Sequence, residues 1–296
     1  MSNRKRIIYS AMLVSSILAG SLLATCQAGL AEEQTYIEEK DIVYANVDGV
    51  ELKLDLARPE KGRRLPSVIF IFGGSWRTGS RTQYSSELRK AAEKGYLAVT
   101  IDHRLTKYLD QDGKPKYQFP DQIHDVKCAV RWLRANAKKY RIDPKHIGAV
   151  GWSSGGYLAL MLGLTDPSDG LEGDCGDLQY SSKVDAVVSL AGYTELKYFV
   201  YDMACKSFLG GTPEEIPEVY RKASPVTYVD NDDPPVLIIH ADNDGKVPFK
   251  QAEILDAKMN EVGADHLLIT KKGLGHGVFV DNDVWDFLDQ HLKGKE

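Results

Sequence analysis

The sequence predicts an α/β fold in which a mostly parallel central sheet carries helices on both faces. Apolar runs of strand length alternate with helical patterns along most of the chain. These runs are apolar throughout, which is typical of strands that are covered on both sides of a sheet. The 296 residues, of which 43% are hydrophobic, are enough for one domain with a single large core.

The predicted elements follow in a regular order. Strands near residues 42–46 and 51–57, joined by a turn at Asp48-Gly49, predict an antiparallel hairpin at the sheet edge. Further strands are predicted at residues 66–72, 97–101, 147–150, 184–190, 235–240 and 266–271. The predicted helices between them span residues 85–94, 122–140, 155–164, 249–262 and 285–292. Residues 192–229 lack this rhythm, which predicts a small insertion near the functional site.

The most informative motif is Gly151-Trp152-Ser153-Ser154-Gly155, which reads G-x-S-x-G. An apolar strand precedes it and an apolar helix follows it, the context in which this motif forms a nucleophile elbow. The strained turn presents the serine hydroxyl, and the helix N-terminus directs free N–H groups at a developing negative charge. We therefore predict Ser153 as the nucleophile, with the N–H of Ser154 directly after it.

A nucleophilic serine needs a histidine base and a carboxylate that orients the base. Four histidines follow Ser153 in the chain: His240, His266, His276 and His291. His276 lies in a glycine-rich loop after a predicted strand, where ligands of open α/β sheets bind, and is the predicted base. The loop after the preceding strand carries Asp242 and Asp244. We favour Asp244 as the acid and interpret Asp242 as a turn residue.

Further motifs extend the pattern beyond the serine. They are Gly73-Gly74-Ser75-Trp76, Asp102-His103-Arg104-Leu105, Ile142-Asp143-Pro144 and Gly275-His276-Gly277. With the serine motif, they resemble the α/β-hydrolase fold esterases of the hormone-sensitive-lipase-like group, in particular the bacterial dienelactone/feruloyl esterase (BD-FAE) type. The resemblance covers roughly residues 40–293.

The resemblance implies an oxyanion hole made by the backbone N–H groups of Gly74, Ser75 and Ser154. The family has His-Gly-Gly-Gly where this chain has Phe72-Gly73-Gly74-Ser75. Ser75 therefore either adds a hydroxyl donor or restricts the turn through its Cβ. His103 stands where the family tends to carry tyrosine, and we expect it to pack under the site. Three aromatic residues are candidates for lining the substrate pocket, although they fit a core equally well: Trp76, Trp152 and Tyr157.

The first 31 residues are predicted to be a signal peptide. Arg4-Lys5-Arg6 precedes an apolar stretch up to residue 24, and Gly29-Leu30-Ala31 offers a cleavage site. Two alternatives are a lipoprotein signal that ends at Cys26 and an uncleaved membrane anchor. Residues 32–296 then form the catalytic domain, which is expected to be periplasmic or secreted, and lipid-anchored only if Cys26 is modified.

Export makes disulfides favourable. Cys175 and Cys205 lie in polar, irregular segments, and we predict a disulfide between them. Cys128 lies in a predicted amphipathic helix and is expected to be a buried free thiol.

The predicted activity is hydrolysis of a carboxylic ester through an acyl-enzyme intermediate. The net charge of −5 and the lack of a basic, aromatic-rich stretch argue against a nucleic-acid partner. We expect a small-molecule or carbohydrate-linked ester as substrate, with no cofactor and no metal, and no indication of an oligomeric state. One alternative is an amide hydrolase of the arylformamidase type, which uses the same triad. Another is a non-catalytic ligand-binding member of the fold, which the complete triad disfavours.

Overall fold

A computed structural model describes residues 36–199 and 202–294. Its centre is an eight-stranded sheet in the order β1-β2-β4-β3-β5-β6-β7-β8. The strands are β1 (Tyr36–Val47), β2 (Val50–Pro59), β3 (Leu65–Ile71), β4 (Leu97–Ile101), β5 (Ile142–Trp152), β6 (Ala186–Leu190), β7 (Val236–Ala241) and β8 (His266–Lys271). β1 and β2 form the antiparallel hairpin at the edge, and β2 is antiparallel to β4. The remaining neighbours pair in parallel, namely β4 with β3, β3 with β5, β5 with β6, β6 with β7 and β7 with β8. This confirms the predicted, mostly parallel sheet.

Helices cover both faces of the sheet. They are α1 (Ser85–Glu93), α2 (Asp121–Ala135), α3 (Ala137–Tyr140), α4 (Ser154–Leu164), α5 (Met203–Leu209), α6 (Pro217–Lys222), α7 (Lys250–Val262) and α8 (Asn282–Leu292). Alternate residues of β3 show the two layers, because successive side chains of a strand point to opposite faces. Ile69 and Ile71 belong to the core that contains α2 and α4, whereas Val68 and Phe70 belong to the core that contains α1 and α8. The helices between the strands place the carboxyl ends of the parallel strands at one edge.

The single helix predicted over residues 122–140 is wrong, because the structure divides it into α2 and α3. The break is at Asn136, whose side-chain Nδ2 donates to the carbonyl of Trp132 at 2.9 Å. An asparagine side chain that bonds to a nearby backbone carbonyl competes with the helical ladder. Residues 192–229 carry the short helices α5 and α6, as expected of a small insertion.

The disulfide joins Cys128 to Cys175, with the two Cα atoms 5.4 Å apart. The predicted bridge between Cys175 and Cys205 is therefore wrong, and so is the expectation that Cys128 is free. Cys205 is a buried free thiol on α5. It packs in the interior with the aromatic residues of the insertion, away from solvent.

Charged contacts explain why Cys175 reaches α2. Lys127 and Arg131, which flank Cys128 on that helix, both bind the carboxylate of Glu172, at 2.7 and 2.9 Å. Arg131 Nε also donates to the carbonyl of Cys175 at 2.9 Å. These contacts hold the segment around Glu172 against α2. Cys175 therefore lies beside Cys128 of that helix, 47 residues away in the sequence.

The predicted signal peptide, including Cys26, lies outside the described residues. Within residues 36–199 and 202–294, none of the helices combines the length and the apolar character that a bilayer span requires.

Candidate active site

The nucleophile elbow lies between β5 and α4. Ser153 occupies the turn with φ 56° and ψ −122°, a conformation that costs energy for a residue with a Cβ. The glycines of the motif are needed because the chain segments approach closely. A Cβ at Gly151 would collide with the carbonyl of Gly155, and one at Gly155 would collide with the carbonyl of Ile71 at the end of β3. The sharp turn thus brings Ser153 to the carboxyl edge of the sheet.

The three residues predicted as a triad lie together at this edge. His276 Nε2 is 2.9 Å from Ser153 Oγ, and His276 Nδ1 is 2.7 Å from Asp244 Oδ2. Ser153 and Asp244 are buried, and His276 is partly exposed. Low exposure strengthens the electrostatic coupling between the carboxylate and the imidazole. With its Nδ1–H donated to Asp244, the imidazole presents Nε2 as a base toward the serine.

The structure separates the two candidate aspartates. Asp244 Oδ1 accepts from the backbone N–H groups of Lys246 and Val247 at 2.8 and 3.0 Å, which leaves Oδ2 for His276. Asp242 Oδ1 accepts from the N–H of Gly273 at 2.7 Å, on the loop that carries the histidine. Asp242 therefore stabilises the position of that loop rather than its own turn, and Asp244 is the carboxylate beside the imidazole.

A second histidine touches the same carboxylate. His240 ends β7 and is buried, with Nε2 2.8 Å from the carbonyl of Val247 and 3.4 Å from Asp244 Oδ2. Because a carbonyl only accepts, His240 Nε2 carries the proton. Burial lowers the pKa of His240 and outweighs the opposing effects of the Val247 carbonyl and the Asp244 carboxylate, which favours a neutral ring. The sequence suggested only that His240 packs behind the site, since nothing in an apolar strand end signals contact with a carboxylate. His266 and His291 lie elsewhere, beside Asp256 and Phe287 respectively.

The loop after β3 lies next to Ser153 and carries two consecutive left-handed residues, Ser75 with φ 55° and Trp76 with φ 56°. Left-handed backbone at residues other than glycine costs about 1–2 kcal/mol each, so the surrounding packing holds this loop in place. Among the described residues, the N–H groups of Gly74, Ser75 and Ser154 donate to no other residue. Three amides that remain available beside Ser153 match the donors that the family resemblance implies.

The side chains that depart from the family pattern pack on each other or on the insertion. Phe72 stacks on His103 with ring centroids 4.4 Å apart. His103 is buried, as expected, and burial lowers its pKa to about 4, so the ring is neutral. The side chain of Ser75 interacts with Tyr193 of the insertion, whose hydroxyl pKa is raised by burial. The side chain of Ser75 thus has a neighbour in the insertion.

Two of the three expected pocket residues are not accessible. Trp76 and Tyr157 are fully buried, and Trp76 stacks on Phe208 of α5 with ring centroids 4.3 Å apart. The expectation that Trp76 and Tyr157 line the substrate pocket is therefore wrong, because α5 covers them. Trp152 is only partly buried, and its indole N–H donates to the carbonyl of His276 at 2.9 Å.

Comparison with known proteins agrees with this architecture. The family model BD-FAE matches residues 54–259. The chain belongs to this family. Esterase LipC of Mycobacterium tuberculosis is 30% identical over 261 residues, which cover 84% of this chain and 62% of LipC. Esterase LipQ of the same organism is 28% identical over 235 residues, which cover 77% of this chain and 54% of LipQ. The BD-FAE chain thus spans between half and two thirds of the length of these curated relatives.

Solved structures show the same fold. A truncated carbohydrate esterase from gut microbiota matches with a TM-score of 0.79 and 30% identity, covering 88% of this chain and 99% of that one. Esterase 2 of Thermogutta terrifontis with bound propionate matches with a TM-score of 0.71 and 26% identity, covering 87% and 96%. These likenesses confirm that the BD-FAE chain has the predicted α/β-hydrolase fold.

Proposed function

We propose that this protein is a serine carboxylic-ester hydrolase that works through an acyl-enzyme intermediate. The observation that carries the proposal is the continuous hydrogen-bonded chain from Asp244 through His276 to Ser153, with links of 2.7 and 2.9 Å. Nucleophile, base and orienting carboxylate in this arrangement support acyl transfer. The esterase names of the curated relatives and of the solved structures support the same reaction class.

In the proposed reaction, Ser153 Oγ attacks the ester carbonyl while His276 Nε2 accepts its proton. The oxyanion of the tetrahedral intermediate faces the N–H groups of Gly74, Ser75 and Ser154. His276 then gives the proton to the leaving alcohol as the C–O bond breaks, and the acyl group stays on Ser153. A water molecule, deprotonated by His276, attacks the acyl-enzyme. His276 then returns the proton to Ser153 Oγ as the bond between the acyl carbon and Oγ breaks, and the carboxylic acid leaves.

We propose small or carbohydrate-linked acyl and aryl esters as substrates. One solved relative is described as a carbohydrate esterase, and another was solved with propionate bound. The packing in this chain supports a small acyl group, because Trp76, Tyr157 and Phe208 fill the interior beside the nucleophile and are fully buried. An ester with a long acyl chain would have to displace these rings.

We also propose that residues 1–31 direct export and that residues 32–296 form the catalytic domain in a periplasmic or secreted protein. The disulfide between Cys128 and Cys175 supports this, since such bonds persist in oxidising compartments.

The test compares Ser153→Ala with the wild type on p-nitrophenyl esters of increasing acyl length, acetylated xylan and methyl ferulate. We expect Ser153→Ala to lower kcat by about 10⁴-fold or more on every substrate that the wild type hydrolyses. Ser86→Ala, an exposed serine on α1, is the matched control and should keep full activity. Hydrolysis by Ser153→Ala at the wild-type rate would contradict the mechanism. Faster cleavage of N-formylanilides than of any ester would show that the preferred substrate is an amide and would favour the arylformamidase alternative.

A further inference from the structure

We propose that Trp152 is a positioning residue that holds the backbone of His276 in place relative to Ser153. The inference rests on the proposed function, because it concerns how the proposed base is aligned. Trp152 occupies the first x position of the G-x-S-x-G motif, directly before Ser153. Its Nε1–H donates to the carbonyl oxygen of His276 at 2.9 Å, and the centroids of the indole and imidazole rings are 4.9 Å apart.

The same indole lies against the loop after β3, which carries Gly73, Gly74 and Ser75 and is called the oxyanion loop below. A Cβ built on Gly73 would be 2.7 Å from Trp152 Cε3 and 3.1 Å from Ser153 Cβ, so the ring edge and the nucleophile both adjoin this glycine. Trp152 therefore contacts the loop after β3 and the loop after β8, which lie on either side of Ser153. One side chain spans the two loops whose relative position sets the geometry of the reaction.

The loop that carries His276 depends on such contacts. It contains Gly273, Gly275 and Gly277 and follows β8 without entering a helix until α8. Its first half is held to the loop after β7, where Gly273 bonds to Asp242 and the carbonyl of Leu274 accepts from a backbone N–H at 3.2 Å. In its second half, Val278 packs in the core, but within the part of the chain that the structure describes the backbone of residues 275–280 makes no hydrogen bond to another loop. Of the described residues, only Trp152 and Val278 donate to the carbonyl of His276, and Val278 belongs to the same loop.

The hydrogen bond from Trp152 thus connects the backbone of the base to the rigid end of β5. The imidazole has to satisfy two short contacts at once, to Asp244 and to Ser153, and a displacement of its Cα weakens both. Positioning of this kind affects the chemical step more than binding, because the contact involves no substrate atom.

The leaving group of the substrate distinguishes a displaced base from a displaced oxyanion loop. An alkoxide needs a proton from His276 as the C–O bond breaks, whereas p-nitrophenolate leaves without one. Loss of the Trp152 hydrogen bond should therefore slow an alkyl ester more than the corresponding p-nitrophenyl ester. A fault confined to the oxyanion loop would slow both esters equally, because both form the same tetrahedral oxyanion.

The experiment uses Trp152→Phe, which keeps an aromatic ring and removes the N–H. Trp132→Phe is the matched control. Trp132 lies near the end of α2 and packs on Tyr140 of α3, away from the triad. Both acetates form the same acetyl-enzyme, so the comparison uses kcat/KM, which reports the acylation step in which the leaving group departs. For an alkyl acetate we expect Trp152→Phe to lower kcat/KM about tenfold, equivalent to about 1.4 kcal/mol. For p-nitrophenyl acetate we expect a loss in kcat/KM of roughly threefold. The control should match the wild type on both esters.

A second replacement guards against misfolding. Benzothienylalanine at position 152 keeps the bicyclic ring with sulfur in place of the N–H, and kcat/KM is normalised to the sites that react with a phosphonate. The proposal is overturned if either variant matches the wild type on both esters, or if both esters lose rate equally. A failure of the proposed function looks different, because Ser153→Ala would then hydrolyse the esters as fast as the wild type.

Discussion

Removal of the disulfide between Cys128 and Cys175 should destabilise the protein by about 4 kcal/mol. The two cysteines are 47 residues apart, and a bridge that closes a loop of this length reduces the entropy of the unfolded chain by about 14 cal/mol/K. The perturbation is the double variant Cys128→Ser, Cys175→Ser, which leaves Cys205 as the remaining cysteine of residues 32–296.

The folded state should change little in this variant. Glu172 remains bound to Lys127 and Arg131, so the segment stays on α2 without the covalent bond. The loss should therefore come mainly from the gain in entropy of the unfolded chain, and it should appear as a fall in Tm of roughly 8–15 °C. The urea dependence of the free energy of unfolding measures the difference directly, with wild-type protein in reductant as a second comparison.

The identity of the free thiol checks the pairing itself. Protein that lacks residues 1–31 and comes from an oxidising compartment should show one titratable thiol after denaturation, and peptide mapping should assign it to Cys205. Three titratable thiols would refute the bridge, and a linked peptide that joins Cys175 to Cys205 would refute the pairing. A loss of less than about 1 kcal/mol in the double variant would refute the magnitude.

Three further predictions concern the site and its surroundings. Asp244→Asn should lower kcat by about 10³–10⁴-fold in a steady-state assay, while Asp242→Asn should lower it far less. The reverse order would show that Asp242 is the carboxylate of the triad. Ser75→Ala should change kcat by less than about threefold, because its side chain interacts with Tyr193, whereas a loss near 10²-fold would show a hydroxyl donor to the oxyanion. The third prediction concerns pH and rests on His103. Its folded pKa of about 4 lies below the ordinary 6.5, so the unfolded chain binds the proton first as pH falls. The contribution of His103 to stability should then drop by about 3 kcal/mol between pH 6.5 and 4. His103→Phe should reduce the slope in urea titrations at several pH values by that amount, while the contribution of the buried His240 remains.

Most of the fold could be predicted because its signals are local. Fully apolar runs mark the parallel strands, and the Asp48-Gly49 turn marks the edge hairpin. The spatial meeting of Ser153, Asp244 and His276 also followed from local patterns, since each follows a strand and parallel strands end at one edge.

The errors arose where distant segments decide the outcome. Cysteine pairing depends on which surfaces meet, and the contacts of Glu172 with α2 cannot be read from the spacing of cysteines. Tyr157 follows Ser153 closely in the sequence and Trp76 lies on the loop after β3, so both were expected in the pocket. Phe208 of the insertion packs on both rings and covers them. The contact of His240 with Asp244 likewise depends on the shape of the loop after β7.

The most direct test of the central claim is covalent labelling with a p-nitrophenyl phosphonate, which a nucleophilic serine attacks as it attacks an ester. We predict release of one equivalent of p-nitrophenol, loss of esterase activity in parallel, and peptide mapping of the label to Ser153. The His276→Ala variant should react slowly, because its serine lacks the base. A label on any other residue, or full activity after complete labelling of Ser153, would contradict the assignment of Ser153 as the nucleophile.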